Sequence, residues 1–473
     1  MAEQSLVDHL LVAAERWPDR PAWTFDPGDA PATTLTFHDV ARRSAAYAQV
    51  LRERGIEAGD RVAVMLDNQP EFPLVWLALM RIGAAMVPLN VRYRSADAGH
   101  VVADAGVRVA ITSPSYAELL APLAEVVLVD DLVPARSWTQ GPVDPATPVN
   151  VQYTSGTTGH PKGCVLTHRY WTTLGNSMLD EFPYVVADDV MLTAQPFFYL
   201  DPQWNVVTAL MSGAHLVLLD GFHPSTFWAK VREHEVTYFY CLAAMPTLLL
   251  KMPPDPADRA HRVRVVQCSA IPPALHAELE ARWGVPWFEA FGMTETGADI
   301  RVSPGDHDEL VGSGCLGRAA AHREVRIDVG GQLWLRGPGM MDGYLGRPDP
   351  FVDGWFPTGD LARLDDQGRI CLEGRLKDMI RRSGENIAAH EVEDVLLAHP
   401  AVRLAAVVGV PDEIRGEEVK AYVVAPGVSS EDLTAWCSER LAAFKVPRIW
   451  EFRDDLPLTA SHRVEKAKLG AEL

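Results

Sequence analysis

One glycine- and hydroxyl-rich stretch constrains this chain more than any other part of its sequence. Residues 153–163 read Tyr-Thr-Ser-Gly-Thr-Thr-Gly-His-Pro-Lys-Gly, with apolar residues before them (Val149, Val151) and after them (Cys164 to Leu166). Glycines let successive backbone N–H groups point at an anion, the hydroxyls add donors, and Lys162 adds a positive charge. The alternative is a polar surface hairpin. A lysine beside a doubled threonine and a rigid proline favours a triphosphate-binding loop.

Length and composition are those of a large soluble globular protein. The chain has 473 residues, of which 48% are hydrophobic and 22% are charged, and a formal net charge of −20. This length allows more than one domain. The negative charge argues against nucleic-acid and membrane partners, so a phosphate site has to be assembled from local cations. No apolar run approaches the length that crosses a bilayer.

The six cysteines, at positions 164, 241, 268, 315, 371 and 437, stand apart from one another along the sequence. The absence of any Cys-x-x-Cys pair argues against zinc ribbons and a disulfide framework, and favours a reducing compartment. The chain opens Met-Ala-Glu-Gln, without the basic and then apolar pattern of a signal peptide. We therefore expect a cytoplasmic protein.

Strand-like and helix-like segments alternate through most of the chain. Arg61 to Leu66 is a strand pattern, Pro70 to Ile82 is a helix pattern that ends at Gly83, and Ala85 to Leu89 is again strand-like. This βαβ unit predicts a parallel sheet and an α/β fold, with the phosphate loop at the carboxyl ends of strands. A helix is also expected over 5–16, behind a Ser5 N-cap. Further strands are expected at 107–111, 125–129, 216–219, 236–240 and 263–266, and helices at 225–235 and 273–282.

The last third of the chain has a different sequence pattern. From about residue 310, short strands and glycine-rich turns predict a small β-rich subdomain. A compact tail follows, with helices expected over 390–398 and 431–443 and strands at 404–410 and 419–424. We therefore divide the chain into an N-terminal domain over 1–374 and a C-terminal α+β domain over 375–473.

Two motifs on expected loops carry groups that suit a nucleotide. Residues 291–296 read Phe-Gly-Met-Thr-Glu-Thr, in which an aromatic ring can stack on a base, a threonine can bond a phosphate and a carboxylate can hold Mg²⁺. Residues 355–360 read Trp-Phe-Pro-Thr-Gly-Asp and place an acid after a glycine turn, where it can accept two ribose hydroxyls. Taken alone, each is also a common loop or turn.

Two basic motifs follow. Residues 374–378 read Gly-Arg-Leu-Lys-Asp and lie at the expected domain junction. Their basic residues are either solvated charges in a linker or part of a hinge that carries an arginine to a ligand. Residues 456–466 form a basic loop near the C-terminus.

In this order, the five motifs resemble the adenylate-forming superfamily, which includes acyl- and aryl-CoA ligases, luciferases and the adenylation domains of peptide synthetases.

The resemblance covers essentially the whole chain. It implies a large N-terminal domain, a mobile C-terminal domain, and ATP with Mg²⁺ at their junction. It also implies two half-reactions, in which an acyl-AMP forms with release of pyrophosphate and the acyl group then passes to a nucleophile, commonly the thiol of coenzyme A. The residues that would hold the departing phosphates are Thr154, Ser155, Gly156, Thr157, Thr158, Gly159 and Lys162.

The other motifs carry over residue by residue. Phe291 stands where the family usually has a tyrosine against adenine, and its ring keeps the stacking face. Thr294 would bond the α-phosphate and Glu295 would help to hold Mg²⁺. The remaining positions are the ribose ligands Asp360 and Arg375 and the hinge residue Lys377.

The C-terminal motif departs from the family, which reads Pro-x-Thr-x-Ser/Thr-Gly-Lys. In register, this chain has His462 for the glycine and Arg463 for the lysine that brings the acid and the α-phosphate together. Arginine keeps the charge, but as a planar fork rather than a compact ammonium. Arg463 could serve directly, Lys466 or Lys468 could reach in, or the activated group could need less help.

The residues expected beside the substrate also differ from the family pattern. Tyr199 stands where family members often carry a histidine beside the acyl pocket, and with Trp204 and Met245 it predicts an aromatic pocket with polar tips. Ordinary core packing is the alternative. Residues 267–273 replace a Gly-Gly-Ala-Pro loop near adenine, and the missing glycines leave their backbone path open.

These observations predict an AMP-forming ligase that activates a small aryl or unsaturated carboxylic acid and transfers it to coenzyme A. One alternative within the enzymes is adenylation of nitrite and its transfer to an aryl amine, which the departures at Arg463 and Tyr199 keep open. Another alternative is a non-catalytic nucleotide-binding scaffold. An intact phosphate loop together with Glu295 and Asp360 argues against the scaffold.

Overall fold

The computed structural model describes residues 3–132, 138–154, 161–242, 244–383, 385–412, 414–459 and 464–470. In chain order the helices are α1 (Leu6–Arg16), α2 (Phe37–Glu53), α3 (Glu71–Ile82), α4 (Ser95–Asp104), α5 (Pro114–Leu120), α6 (His168–Asp180), α7 (Leu200–Ser212), α8 (Phe227–Glu233), α9 (Met245–Leu250), α10 (Pro273–Trp283), α11 (His307–Leu310), α12 (Ala389–Leu397), α13 (Ser430–Ser438) and α14 (Lys466–Gly470). Short 3₁₀ helices cover Val129–Asp131 and Leu376–Asp378.

The strands form three sheets. In chain order they are β1 (Pro21–Asp26), β2 (Thr33–Thr36), β3 (Arg61–Met65), β4 (Ala85–Pro88), β5 (Val109–Thr112), β6 (Glu125–Leu128), β7 (Pro148–Thr154), β8 (Lys162–Thr167), β9 (Val190–Thr193), β10 (His215–Leu219), β11 (Tyr238–Leu242), β12 (Val265–Ser269), β13 (Trp287–Met293), β14 (Gly297–Arg301), β15 (Cys315–Ala319), β16 (Glu324–Ile327), β17 (Gln332–Arg336), β18 (Phe356–Leu364), β19 (Ile370–Arg375), β20 (Met379–Arg382), β21 (Glu385–Ala388), β22 (Leu404–Asp412), β23 (Gly416–Val424) and β24 (Ile449–Phe452).

The expected βαβ unit forms, and it belongs to a six-stranded sheet of order β6-β5-β3-β4-β7-β8. Its strands are parallel except for β8, which runs antiparallel to β7. The connecting helix α3 is buried from Phe72 through Ile82, which explains why its sequence is apolar on all faces. Gly83 ends it in the left-handed conformation, at a φ of 85°. The α/β prediction is confirmed.

The predicted β-rich subdomain is not a sheet of its own. Strands β14 to β19 form the antiparallel part of a 13-stranded sheet of order β16-β17-β18-β19-β15-β14-β13-β12-β11-β9-β10-β1-β2. Strands β1, β10, β9, β11, β12 and β13 of that sheet are parallel and alternate with helices, and β2 pairs antiparallel with β1 at the edge. The strand direction changes between β13 and β14. The change near residue 310 to short strands and glycine-rich turns therefore marks a switch from parallel to antiparallel pairing within one sheet.

The third sheet lies after the 3₁₀ helix at Leu376–Asp378. Strands β21, β20, β23 and β22 are adjacent in that order, and β24 pairs with β23. They enclose a separate cluster of buried apolar side chains with α12 and α13, which includes Ile380, Val392, Val407 and Leu433. The last of the predicted helices is shorter than expected, because α13 ends at Ser438 and a turn follows it.

One expectation about the cysteines is wrong. Cys315 on β15 and Cys371 on β19 face each other across an antiparallel pair, and the structure joins them in a disulfide. Because 56 residues separate them, no local spacing signals the pairing. The four other cysteines, 164, 241, 268 and 437, are free and buried. Among the helices that the structure describes, none has both the length and the apolar character that crossing a bilayer requires.

Candidate active site

The predicted phosphate loop leaves the six-stranded sheet at the carboxyl end of β7 and returns as β8. Thr154 and Lys162 face each other where these two strands end and begin. The loop residues Ser155, Gly156, Thr157, Thr158 and Gly159 lie outside the described part of the chain. The described residues on either side, Thr154 and Lys162, lie at the carboxyl end of β7, the kind of strand edge where ligands of parallel sheets bind.

A buried hydrogen-bond network anchors β7 to its surroundings. The Asn150 Oδ1 atom accepts hydrogen bonds from the indole N–H groups of Trp76 on α3 and Trp171 on α6, at 3.0 and 3.1 Å. Its amide donates to Gln203 Oε1 at 2.9 Å, and Gln203 in turn donates to Gln152 at 3.3 Å. These satisfied polar groups tie the strand before the phosphate loop to α7, which carries Trp204, one of the predicted substrate-pocket residues.

Beside the loop, Tyr344 contacts both Lys162, which is assigned to the phosphates, and Glu295, which is assigned to the metal. The hydroxyl of Tyr344 donates to Glu295 Oε1 at 2.9 Å, and the Lys162 ammonium lies 5.3 Å from the centroid of the Tyr344 ring. Backbone bonds hold this tyrosine against β8, because the Leu345 N–H donates to the Gly163 carbonyl at 2.8 Å. The sequence analysis missed Tyr344, whose only signal is its place in a glycine-rich stretch.

The turn that presents Thr294 and Glu295 depends on a glycine. Strands β13 and β14 approach so closely there that a Cβ atom on Gly292 would lie 2.0 Å from the carbonyl oxygen of Gly297. Thr294 is half-buried and Glu295 is buried in the turn between the strands. Phe291 belongs to β13 rather than to a loop, with its half-buried ring against the main core.

The predicted ribose ligands face each other on neighbouring strands. Asp360 of β18 and Arg375 of β19 are register partners, and Arg375 Nε donates to Asp360 Oδ1 at 2.6 Å. The expectation of a glycine turn is corrected here: Gly359 has a φ of 75°, yet the residue lies inside β18. The second carboxylate oxygen of Asp360 is buried without a hydrogen-bond partner among the described residues. This oxygen can accept a hydrogen bond from a hydroxyl group of a ligand.

The charges of these residues act on one another, which shows that the structure brings the motifs together. Burial raises the pKa of Glu295, and the positive charges of Arg375 and Lys162 oppose that rise. Burial likewise raises the pKa of Asp360, against the effects of Arg375 and Lys377. We call Lys162, Tyr344, Glu295, Arg375 and Asp360 the nucleotide cluster.

The chemistry of the cluster fits ATP with magnesium. The unpartnered Asp360 oxygen fits a ribose hydroxyl, and the buried Glu295 carboxylate is a hard oxygen donor of the kind that Mg²⁺ prefers. A cation beside Glu295 would offset the cost of burying its charge. Lys162 supplies a positive charge next to the loop.

The described lysines of the C-terminal segment are paired with nearby acids. Arg463 lies outside the described residues. The Lys466 ammonium forms an ion pair with Glu393 Oε1 of α12 at 2.7 Å, and Lys468 pairs with Glu465. Lys377 lies in the 3₁₀ helix that connects β19 to β20.

The three predicted substrate-pocket residues have different neighbours. Tyr199 precedes α7, is half-buried and packs on Phe198 with ring centroids 4.7 Å apart. Trp204 is buried against Tyr240 at 5.5 Å, in an edge-to-face arrangement. Met245 is buried, and its sulfur accepts the amide of Gln195 at 2.7 Å. An aromatic pocket lined by all three stays a prediction.

A buried acid lies among these aromatics, and the sequence analysis missed it. The Asp201 carboxylate accepts the Trp204 indole N–H at 2.9 Å and the Thr193 hydroxyl at 3.5 Å. Burial raises the pKa of Asp201 to about 7, against the opposing effect of these two hydrogen bonds. A lone aspartate in the run Phe-Phe-Tyr-Leu-Asp-Pro-Gln-Trp is the only sequence signal.

Asp201→Asn is expected to stabilise the protein at alkaline pH and to have a smaller effect in acid. The folded state holds the Asp201 proton up to a pH of about 7, whereas the unfolded chain releases it near the ordinary value of 3.8. Wild-type stability therefore falls as pH rises through that window, and asparagine removes the fall. Between pH 5 and 8.5, the variant should gain about 2 kcal/mol in unfolding free energy relative to wild type, measured by urea titration. A difference that does not change with pH would contradict this.

The backbone path of residues 267–273 has a simple cause. Ala270 adopts the left-handed conformation, at a φ of 66°. Its N–H and that of Ile271 both donate to the buried carboxylate of Glu289, at 2.6 and 2.9 Å. Burial raises the pKa of Glu289 to about 8. A carboxylate on the neighbouring strand therefore fixes the segment, although its sequence lacks the glycines of the family loop.

Tyr344→Phe is expected to raise the Mg²⁺ concentration needed for half-maximal adenylation by roughly three- to tenfold. The ring beside Lys162 remains, but the hydroxyl that orients Glu295 is lost. Saturating Mg²⁺ should restore most of the rate, which a general structural defect would not allow. Tyr116→Phe is the matched control, because it removes a tyrosine bond to Asp67 outside the nucleotide cluster. Equal Mg²⁺ requirements for the two variants would exclude this role.

The three sheets and the nucleotide cluster together define an α/β enzyme of the adenylate-forming class. The family model described as AMP-binding enzyme matches residues 10–345, and the model described as AMP-binding enzyme C-terminal domain matches residues 391–463. The chain belongs to this family of AMP-binding enzymes.

Similar proteins are named for joining acids to coenzyme A. The chain is 34% identical over 466 residues to a feruloyl-CoA synthase from Amycolatopsis sp, covering 92% of this chain and 94% of that one. It is 31% identical over 512 residues to a crotonobetaine/carnitine–CoA ligase from Proteus mirabilis, covering 96% and 97%. The o-succinylbenzoate CoA synthetase from Bacillus subtilis, in complex with its acyl-adenylate intermediate, has a TM-score of 0.88 at 28% identity, with 99% of each chain covered. The nitrite alternative is not favoured by these relatives.

Proposed function

We propose that the chain is an ATP-dependent, AMP-forming ligase that adenylates a carboxylic acid and transfers the acyl group to coenzyme A. The observation that carries the proposal is the nucleotide cluster. The positive charges of Lys162 and Arg375 both act on Glu295, and the charge of Arg375 also acts on Asp360. The non-catalytic scaffold is disfavoured because decay would not be expected to spare this whole set.

Each residue of the cluster has a distinct task in this proposal. Asp360 accepts ribose hydroxyls through its free oxygen, while Arg375 holds the carboxylate in place. Lys162 neutralises charge on the departing pyrophosphate, together with the hydroxyls and N–H groups of the loop. Thr294 donates to the α-phosphate. Glu295 holds Mg²⁺, which lowers the barrier by neutralising phosphate charge when it is bound.

The acid is proposed to be aryl or unsaturated. Support comes from two aromatic pairs, Tyr199 on Phe198 and Trp204 on Tyr240, and from the feruloyl-CoA synthase among the relatives. Phe291 would offer its ring to adenine from β13. The carnitine ligase among the relatives shows that the family fold also serves a non-aromatic acid, so a substrate panel should contain both kinds.

The catalytic cation of the C-terminal motif is proposed to be Arg463. Lys466 is engaged with Glu393 at 2.7 Å, and that ion pair would have to break before Lys466 could reach a substrate. Arg463→Ala is therefore expected to slow adenylation by roughly a hundredfold, and Lys466→Ala by much less. Single-turnover formation of the acyl-AMP measures both. The role assigned to Arg463 is wrong if its variant keeps the wild-type rate while Lys466→Ala abolishes adenylation.

The chain is further proposed to divide into an N-terminal domain over 1–374 and a mobile C-terminal domain over 375–473, with a hinge at Lys377. Support comes from the third sheet, every strand of which follows Asp378. Rotation about this hinge would exchange catalytic loops between the two half-reactions. We also propose a cytoplasmic location, for which four free, buried thiols speak and against which the single Cys315–Cys371 disulfide counts.

Acid-dependent exchange of labelled pyrophosphate into ATP tests the first half-reaction. The panel contains ferulate, cinnamate, benzoate, o-succinylbenzoate, carnitine and nitrite, each with ATP and Mg²⁺. We expect exchange with one or more aryl or unsaturated acids and none with nitrite. Exchange with nitrite alone would overturn the proposed substrate class, and no exchange with any compound, despite ATP binding, would favour the scaffold.

A further inference from the structure

A cavity of about 840 Å³ opens at the amino ends of the six-stranded sheet. Its walls include the starts of β3, β4 and β7, at Arg61, Ala85 and Pro148, together with the ends of α2 and α3. The phosphate loop follows the other end of β7, about 20 Å away along the extended strand. The cavity therefore opens at the amino end of β7, and its lining extends along the sheet to Leu345, the residue after Tyr344 of the nucleotide cluster.

The cavity carries an excess of positive charge. Arg52, Arg61 and Arg81 line it, and Asp144 is the one carboxylate among its described lining residues. None of the three arginines forms an ion pair with a carboxylate in the described part of the chain. In a protein of net charge −20, this cavity thus gathers three arginines and a single carboxylate.

Arg81 is deeply buried and has only neutral partners. Its side chain, 4% exposed, donates to Ser44 Oγ, Gln140 Oε1 and the Ala41 carbonyl at 3.1, 2.9 and 3.0 Å. Gln140 also accepts the Trp138 indole N–H at 3.0 Å, which holds the cavity wall in place. Burial lowers the pKa of Arg81 to about 10, so its charge persists at neutral pH without a counter-ion.

Arg61 is the residue whose donors are left unused. Its Nε is buried and has no hydrogen-bond partner among the residues that the structure describes. A buried charged donor without an acceptor costs free energy that a bound anion would recover. A guanidinium matches a carboxylate or a phosphate with two parallel hydrogen bonds.

Part of the remaining wall is apolar, beside the polar side chains of Gln49, Thr139 and Thr147. Ile82, Val143, Val151, Val165 and Leu345 line the cavity with the half-buried ring of Trp138. We propose that this cavity is a second ligand site, which binds a small organic anion through a carboxylate or phosphate head on Arg61, with its apolar body against the Trp138 wall. The charge of Arg81 adds attraction from the opposite side of the sheet end. This site is independent of the proposed ligase activity.

Binding to the full chain tests the proposal, with phenyl phosphate and benzoate as the two anions and benzyl alcohol as the neutral probe. Affinities are measured by ligand-observed NMR titration in the presence of saturating AMP, which occupies the nucleotide site. We expect saturable binding of at least one anion and none of benzyl alcohol. Arg61→Gln should weaken anion binding tenfold or more, and the tighter anion identifies the head group.

Arg108→Gln is the matched control, because Arg108 is exposed and pairs with Asp60 and Glu125 near the same sheet end. It should bind the anion as wild type does. Pyrophosphate exchange at the wild-type rate verifies that Arg61→Gln is folded, and Arg61→Lys provides a second variant that keeps the charge and should retain part of the affinity. Equal affinity of wild type and Arg61→Gln, equal binding of benzyl alcohol, or no binding of either anion would each overturn the proposal.

Discussion

Lys162→Ala is expected to lower acid-dependent pyrophosphate exchange by roughly a hundred- to a thousandfold. The Lys162 ammonium begins β8 directly after the phosphate loop and lies over the Tyr344 ring beside Glu295. It is positioned to neutralise charge that accumulates on pyrophosphate as the bond to the α-phosphate breaks. The loss should fall on the rate of adenylation and pyrophosphate release rather than on the affinity for the acid.

The control for this variant is Lys445→Ala, which removes a lysine that is ion-paired with Glu391 at 2.6 Å and lies outside the nucleotide cluster. Single-turnover formation of acyl-AMP by the two variants is compared at saturating ATP. Thermal unfolding of both should verify that they are folded. The assignment of Lys162 fails if Lys162→Ala forms acyl-AMP as fast as Lys445→Ala does.

Asp360→Asn is expected to raise the Michaelis constant for ATP by roughly 10- to 100-fold. Asparagine keeps the shape of the side chain but loses the negative charge that Arg375 holds at 2.6 Å, and it offers one acceptor oxygen instead of two. Protein stability should not fall in parallel, because burial already disfavours the charged form of Asp360 and raises its pKa. Nucleotide binding and folding can thus be separated in this variant.

A modified nucleotide makes the test of Asp360 specific to the ribose. Wild type should discriminate strongly against 2′,3′-dideoxy-ATP, which lacks both hydroxyls, whereas Asp360→Asn should use ATP and the dideoxy analogue almost equally. The two ratios of kcat/KM form a cycle that isolates the contact between this carboxylate and the ribose. Unchanged discrimination in the variant would place the ribose elsewhere.

Local signals in the sequence predicted the elements that position the site. The helix at Glu71–Ile82 and its end at Gly83 follow from side-chain periodicity and from the left-handed conformation that glycine allows. The placement of the phosphate loop after a parallel strand follows from the same alternation. Asp360 and Arg375 were recognised by their motifs, although the strand that carries Asp360 was read as a turn.

Residues whose role depends on distant partners were missed. Tyr344 bonds to Glu295 across 49 positions of sequence, and Glu289 bonds to Ala270 across 19. Asp201 is unusual only because the fold buries it among aromatic rings, and Cys315 meets Cys371 only after two strands pair. Periodicity reports which face of an element is buried, but not which side chains from separate elements meet there.

Product identification with the intact protein, ATP and Mg²⁺ tests the central claim most directly. Two mixtures are compared by mass spectrometry, one with the acid selected by pyrophosphate exchange plus coenzyme A, and one with nitrite plus aryl amines. We expect AMP and an acyl-CoA ester in equal amounts from the first mixture and no AMP from the second. A diazo compound formed with AMP in the second mixture, without an acyl-CoA ester in the first, would contradict it.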